Sequence, residues 1–163
     1  MTIGKEKEQE TASFGYKDVP VEEKKKLVGD VFSSVAAKYD FMNDAMSLGV
    51  HRLWKRNFVR KAKLRPGMKC LDVAGGTGDI AMSMAKEVGD KGRVTIFDIN
   101  KEMLDVGKER VIDNGFIGPI KFIQGNAEEL PFEDDYFDVA TVSFGIRNVT
   151  HLEKAFREMT RVV

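Results

Sequence analysis

Leu71-Asp72-Val73-Ala74-Gly75-Gly76-Thr77-Gly78-Asp79 is the stretch on which the reading of this sequence turns. An apolar run carrying one acid, Lys69 to Val73, reads as a buried strand. The glycines that follow predict a tight turn, and Asp79 opens an amphipathic segment, Ile80 to Val88, that reads as a helix. Strand, glycine turn and helix in that order let a nucleotide-like ligand lie against bare backbone at a helix N-terminus. About twenty residues beyond Gly78, the strand-like run Val94-Thr95-Ile96-Phe97 ends in Asp98, an acid at the separation that serves a ribose diol. The expected ligand therefore carries an adenosine-type sugar.

Working outward, strands alternate with helices. Arg93 to Phe97 leads to a helix from Lys101 to Asn114, with Asn100 as its N-cap and Gly115 as its stop. A strand from Ile120 to Ile123, a loop to Asp135, a strand from Phe137 to Val142 and a helix from Leu152 to Val162 follow. Thr150 and Glu153 are placed for a capping box on that last helix. The alternation implies α/β architecture, a parallel sheet with helices on its faces. Before the sheet, Leu27, Val28, Val31, Phe32, Val35, Ala36 and Tyr39 recur at helical spacing, with Pro20 suited to the helix's first turn. A second helix is expected from Val50 to Ala62, and residues 1–19 read as a flexible arm. Four strands are fewer than such a sheet usually has, so the sequence reads as the N-terminal portion of a longer protein.

The 163 residues suit one domain. Lys+Arg and Asp+Glu both total 26, which gives no charge argument for nucleic acid. No apolar run approaches the roughly 20 residues of a membrane span. The polar, acid-containing start has neither an h-region nor a transit pattern. Cys70 has no cysteine partner and sits in an apolar strand, as a small buried hydrophobe in a reducing, cytoplasm-like compartment.

Two ligands compete for the turn. Gly76-Thr77-Gly78-Asp79-Ile80-Ala81 fits G-x-G-x-x-A, the mark of a dinucleotide-dependent oxidoreductase. S-adenosylmethionine is favoured by three features. Asp72, just before the glycines, suits a ligand with an amine and a sulfonium. Asp79 stands where a pyrophosphate would dock. Asn126 and Ala127, after the third strand, offer an amide and a backbone N–H to an adenine edge.

These residues resemble the cofactor motifs of class I S-adenosylmethionine methyltransferases, a Rossmann-like three-layer sandwich. A second segment narrows the resemblance. Tyr39-Asp40-Phe41-Met42-Asn43-Asp44-Ala45-Met46-Ser47-Leu48-Gly49-Val50-His51-Arg52-Leu53-Trp54 matches Y-D-x-M-N-x-x-[apolar]-S-x-x-x-H-x-x-W. That is the signature of the ubiquinone/menaquinone biosynthesis C-methyltransferase family. Ser143-Phe144-Gly145-Ile146-Arg147-Asn148-Val149 and Phe14-Gly15-Tyr16 are also similar to that family's segments.

The resemblance implies a helical cap and substrate-side segment at 20–65 and the first part of a cofactor-binding domain at 66–163. The family continues beyond the position of Val163 with further strands, which puts the activity of the chain ending there in question and leaves a cofactor-binding fragment as an alternative. Carried over by position, the cofactor contacts fall on Thr77, Asp98, Asn126, Ala127 and Ser143, to which the reading of the turn adds Asp72, Gly75, Gly76 and Gly78. The implied reaction moves a methyl group to a ring carbon of a polyprenyl hydroquinone, with no metal. Arg147 with Asn148 would stabilise the developing phenolate, and His51 would transfer a proton.

Arg52, Lys55, Arg56, Arg60, Lys61, Lys63 and Arg65 occur with no acid among them, interleaved with Leu53, Trp54, Phe58, Val59, Ala62 and Leu64. This stretch, His51 to Arg65, reads either as a basic helix resting on anionic lipid or as a solvated face over a core stripe. The expected location is the cytoplasm, with membrane association, or else the matrix face of the mitochondrial inner membrane. The partners implied by the resemblance are a homodimer or a quinone-biosynthesis complex.

Overall fold

The computed structural model describes residues 11–14, 17–20, 50–116 and 118–163. The helix expected between Pro20 and Tyr39, and the signature up to Gly49, fall outside the described residues after Pro20.

Within the stretch read as an arm, Thr11–Phe14 (β1) pairs antiparallel with Lys17–Pro20 (β2), Thr11 opposite Pro20 and Phe14 opposite Lys17. Pro20 thus closes a strand. A proline at a strand terminus forfeits no interior ladder bond, which is why the position tolerates it.

The second sheet carries the architecture. Lys69–Val73 (β3), Arg93–Asp98 (β4), Ile120–Gln124 (β5) and Val139–Val142 (β6) lie all parallel in the order β5-β4-β3-β6. The chain runs outward from β3 to β5, then returns to the other side of β3 for β6. Ligands of such sheets sit at the carboxyl ends beside this reversal. Helices Val50–Lys61 (α1), Asp79–Val88 (α2), Lys101–Asp113 (α3) and Leu152–Arg161 (α4) surround the sheet, and a 3₁₀ turn, Phe144–Asn148, follows β6.

β3 is central and buried on both faces, so its side chains alternate between two cores. Cys70 belongs to one core with Val59 of α1, Ile80, Met84 and Val88 of α2, and Leu104 and Val111 of α3. Leu71 and Val73 belong to the other, with Phe97, Leu130 and Phe137 and with Ala155 and Met159 of α4. Asp72 shares the side of Cys70 by strand alternation and is also buried.

Two local bounds differ from expectation. His151, not Thr150, is the N-cap residue of α4, and no side chain caps that helix. The His151 amide donates instead to Glu128 Oε1 at 3.1 Å, from a loop far back in the chain. The ladder of β6 begins at Val139; just before it the Asp138 amide donates to the Lys69 carbonyl of β3 and the Phe137 amide, on the other edge, donates to the Val162 carbonyl, both at 2.8 Å. At α3 the local signal holds, since Asn100 Oδ1 accepts from the Met103 amide at 2.8 Å.

Replacing Asn100 by Ala removes that cap and is expected to cost about 1 kcal/mol. A urea titration checks it, with a lowered midpoint and an unchanged slope.

Candidate functional site

The chemistry gathers at the carboxyl ends of β3, β4, β5 and β6. After Val73 the backbone turns sharply at Ala74, which has φ of 52°. That left-handed conformation costs an alanine about 1 kcal/mol. Gly75 then passes directly over Asp72, where a Cβ would lie 2.9 Å from Asp72 Oδ2 and 3.0 Å from Ile96 Cγ2. Only a bare α-carbon lets the loop close over the acid.

Asp72 is held beneath this loop. The Thr141 hydroxyl donates to its Oδ1 at 2.9 Å across the β3–β6 ladder. The other oxygen, Oδ2, is buried with no partner at hydrogen-bond geometry. Burial pushes the carboxyl up from an ordinary 3.8 to about 7. The Thr141 hydroxyl pulls against that shift, and the nearby Asp98 charge adds to it.

Asp98 ends β4 beside the loop. Its Oδ2 accepts from the Gly76 amide at 2.9 Å, and its Oδ1 accepts from the Asn100 amide at 2.9 Å. Burial raises this carboxyl too, while the Asn100, Gly76 and Ile99 amides favour its charged form. Each oxygen keeps a second lone pair for a ligand. The next residue, Ile99, is apolar and 54% exposed, so it lays a hydrocarbon surface beside the acid. Nothing in the sequence pattern singled it out.

Asp79 differs from its expected role. From sequence, its carboxylate stands at the helix N-terminus where it would repel a pyrophosphate. Instead Lys55 of α1 pairs with its Oδ2 and Arg110 of α3 with its Oδ1. Its charge is met twice over. What disfavours a pyrophosphate here is the Gly76 amide, which Asp98 already occupies, and the buried Asp72. Thr77 is buried with its hydroxyl turned to Arg110, whose Nη1 donates at 3.2 Å. Lys55 and Arg110 were not singled out as site residues, because their partner lies 24 and 31 positions away and no local pattern marks such pairs.

Asn126 and Ala127 follow β5. The Gly125 amide extends the ladder by donating to the Asp98 carbonyl at 3.0 Å. Asn126 Oδ1 accepts from the Glu128 amide at 3.1 Å, so its NH2 is its remaining donor group. Ala127 packs into the α4-side core. Ser143 is half-buried and starts the 3₁₀ turn, its carbonyl accepting from the Ile146 amide at 3.2 Å. In that turn a Cβ on Gly145 would meet Ala74 Cβ at 2.5 Å, so β6's turn packs straight against the glycine loop.

Of the residues expected to carry the reaction, Arg147 is exposed. Its Nε donates to the Phe144 carbonyl at 3.2 Å, and its guanidinium lies 5.4 Å from the Phe144 ring centre. Asn148 is half-buried and ends the same turn. His51 occupies the first turn of α1, and its side chain lies outside the described residues. Trp54 stacks on Phe144 at 4.9 Å and on Phe58 at 5.3 Å. The end of the Tyr39–Trp54 signature and the Ser143–Val149 segment, remote in sequence, are therefore in contact.

The residues present fit a cationic nucleoside. An orphaned buried carboxylate oxygen, a loop that only a glycine closes, and an acid with spare lone pairs line one end of the sheet. Among the described residues no cluster of His, Cys, Asp and Glu is arranged to hold a metal ion, and no helix is long and apolar enough to cross a membrane.

Comparisons with known proteins agree with this geometry. Residues 19–163 match the model of the ubiE/COQ5 methyltransferase family. The chain is 54% identical over 155 residues to the "Ubiquinone/menaquinone biosynthesis C-methyltransferase UbiE" of Shewanella sediminis, covering 95% of this chain and 62% of that protein. It is 54% identical over 157 residues to the protein of the same name from Francisella philomiragia, covering 96% and 63%. It thus spans a little over three-fifths of the length of these curated relatives. Among solved structures, a SAM dependent methyltransferase from Aquifex aeolicus superposes with a TM-score of 0.61 at 26% identity, covering 67% of this chain and 57% of that one. A putative S-adenosyl-L-methionine-dependent methyltransferase from Methanococcus maripaludis gives 0.69 at 21% identity, covering 80% and 58%, which speaks for the fold alone. The parallel sheet with flanking helices is thus the Rossmann-like class I methyltransferase fold.

Asp72 sets a pH dependence. Unfolded, its carboxyl ionises near 3.8; folded, it keeps its proton up to about 7. The neutral acid therefore contributes stability that is fully present below the unfolded value and lost as pH rises through about 7. Asp72→Asn cannot ionise. The melting temperature of the original chain is expected to fall relative to that of the variant between about pH 4 and pH 8, and thermal melts across that range check it.

Proposed function

Given that the chain belongs to the ubiE/COQ5 methyltransferase family, we propose that it binds S-adenosyl-L-methionine at the glycine loop and serves C-methylation of a polyprenyl hydroquinone ring in ubiquinone or menaquinone biosynthesis. The observation that carries the cofactor reading is the Gly76 amide bound to Asp98. A dinucleotide's pyrophosphate needs that amide free and no buried acid beneath it. A sulfonium nucleoside needs neither condition.

S-adenosyl-L-methionine supplies a methyl group already activated on positively charged sulfur. The chain's part is to orient and to manage charge. Asp98 receives the ribose hydroxyls through its remaining lone pairs, with Ile99 covering one side of the base. Asn126 and Ala127 present an NH2 and a backbone N–H to the adenine edge. Thr77 and the glycines shape the loop around the amino-acid end, and Ser143 closes it from β6. Alignment of donor and acceptor supplies most of the rate, since methyl transfer needs no covalent intermediate on the enzyme.

A hydroquinone ring attacks best as its phenolate. Arg147, permanently charged and anchored on Phe144, stabilises that anion together with the Asn148 amide. His51, one helical turn before Trp54, takes the phenolic proton, a role for which an imidazole is suited.

The polyprenyl tail would approach from lipid. The apolar stripe of α1 is spent on the core through Phe58 and Val59, which leaves Leu53, Arg56, Arg60 and Lys61 facing outward. This basic outer face is where the protein would rest on an anionic membrane.

Calorimetry with S-adenosylhomocysteine and with NAD tests the cofactor reading. Binding of the former is expected, weakened roughly 10–100-fold by Asp98→Ala, because charge-assisted bonds are lost. Binding of NAD without S-adenosylhomocysteine overturns it.

A further inference from the structure

The charges around Asp79 suggest more than an anchored loop. Asp79 is the first residue of α2, immediately after the glycine turn. Arg110 reaches it from α3 and also donates to the Thr77 hydroxyl, so one guanidinium grips both the loop and the helix that follows. Lys55 reaches the same carboxylate from α1. The Lys55 and Asp79 side chains are only 19% and 23% exposed, so water screens the pair weakly.

Lys55 is the neighbour of Trp54. Trp54 stacks on Phe144, and Phe144 carries the Arg147 guanidinium over its ring. The far half of α1 is fixed separately, by Val59 and Phe58 in the core. Lys55 is thus the residue of α1 that links the aromatic end of the helix to the glycine loop. The links run from Thr77 and Asp79 to Lys55 through side-chain pairs, along the α1 backbone to the adjacent Trp54, and by ring contacts to Phe144 and Arg147. The first of these residues belong to the proposed cofactor side and the last to the proposed acceptor side.

We propose that Lys55 is a positioning residue: through its ion pair with Asp79 it transmits occupancy of the glycine loop to the Trp54–Phe144 stack, so that the acceptor side is arranged after the cofactor binds. This rests on the cofactor reading above. A spatial line of contacts alone does not establish coupling; a state at one end must change with a ligand at the other. The physical element is the carboxylate at the start of α2. A ligand that shifts the loop moves Asp79, and Asp79 carries the ammonium of Lys55 with it. The Trp54 ring, one residue away, then changes its stacking. The order follows, since an acceptor docking against a misplaced Phe144 and Arg147 gains less binding energy.

Trp54 is the only tryptophan in the chain, which makes the test direct. Titrating the chain with S-adenosylhomocysteine while following tryptophan emission is expected to give a saturable change whose midpoint matches the calorimetric affinity. Lys55→Gln is expected to abolish the emission change while affinity moves less than about tenfold. Lys55→Arg, which keeps the pair, is expected to retain it. Far-UV circular dichroism confirms that each variant is folded. Should Lys55→Gln be unfolded, Lys55→Met serves in its place, because its unbranched apolar stem keeps the packing without the charge. An unaltered emission change in the charge-removing variant overturns the proposal, and so does calorimetric binding to the original chain without any emission change. Absence of calorimetric binding would instead overturn the cofactor reading, so the two failures are distinguishable.

Discussion

A carboxylate accepting two backbone amides organises the carboxyl end of this sheet. Asp98 binds the Gly76 amide with one oxygen and the Asn100 amide with the other. The first bond fixes the glycine loop against the end of β4, and the second seats the turn from which α3 springs. A buried amide left unpaired costs as much as a lost hydrogen bond, so both bonds matter to the fold. The acid is partly desolvated, which strengthens both bonds and raises its own pKa at the same time. Loop, helix and candidate ligand site thus depend on one side chain that is itself kept poised by burial.

Asp72 shows the complementary strategy. It is placed where apolar side chains would pack well, between two strands and beneath a glycine. Its single strong partner is the Thr141 hydroxyl, and its second oxygen is unsatisfied. A buried group in that condition weakens the fold, so stability does not account for its presence in the central strand. The cations at Asp79 balance the other acid at this end of the sheet, and they do so from α1 and α3, the helices that flank α2.

The strand and helix of the glycine motif were legible because several local signals agree there. Lys69 to Val73 is apolar but for its acid, the glycines break it, and Asp79 opens an apolar stripe that recurs at helical spacing. The structure places β3 and α2 at those bounds. Asn100 was legible for the same reason, as a cap acting over three residues. What escaped was non-local. Glu128 takes the His151 amide and leaves the Thr150–Glu153 box unused, while Lys55 and Arg110 find Asp79 only once three helices are packed together. The β1–β2 hairpin was hidden by its surroundings, a short alternating run next to a highly charged start. The basic run after His51 was ambiguous in sequence because a stripe facing lipid and a stripe facing a core share one period. Packing of Val59 and Phe58 into the α2 core assigns that stripe to the interior.

Ala74 and Gly145 carry a consequence for how such a sequence can change. Ala74 sits in a left-handed conformation that glycine would adopt freely, and its methyl group occupies the space that any side chain at 145 would need. The two positions hold one methyl between them. Exchanging its location is a two-step path on which order matters. Through Ala74→Gly first, backbone strain is released and the 2.5 Å methyl clash goes, although a Cβ at 145 still meets the carbonyl oxygen of residue 74 at 2.9 Å, so the loop must give slightly. Through Gly145→Ala first, two methyl groups collide at the junction of the loop and the turn after β6. Drift at this pair is therefore directional, and the passable intermediate is the chain with glycine at both sites.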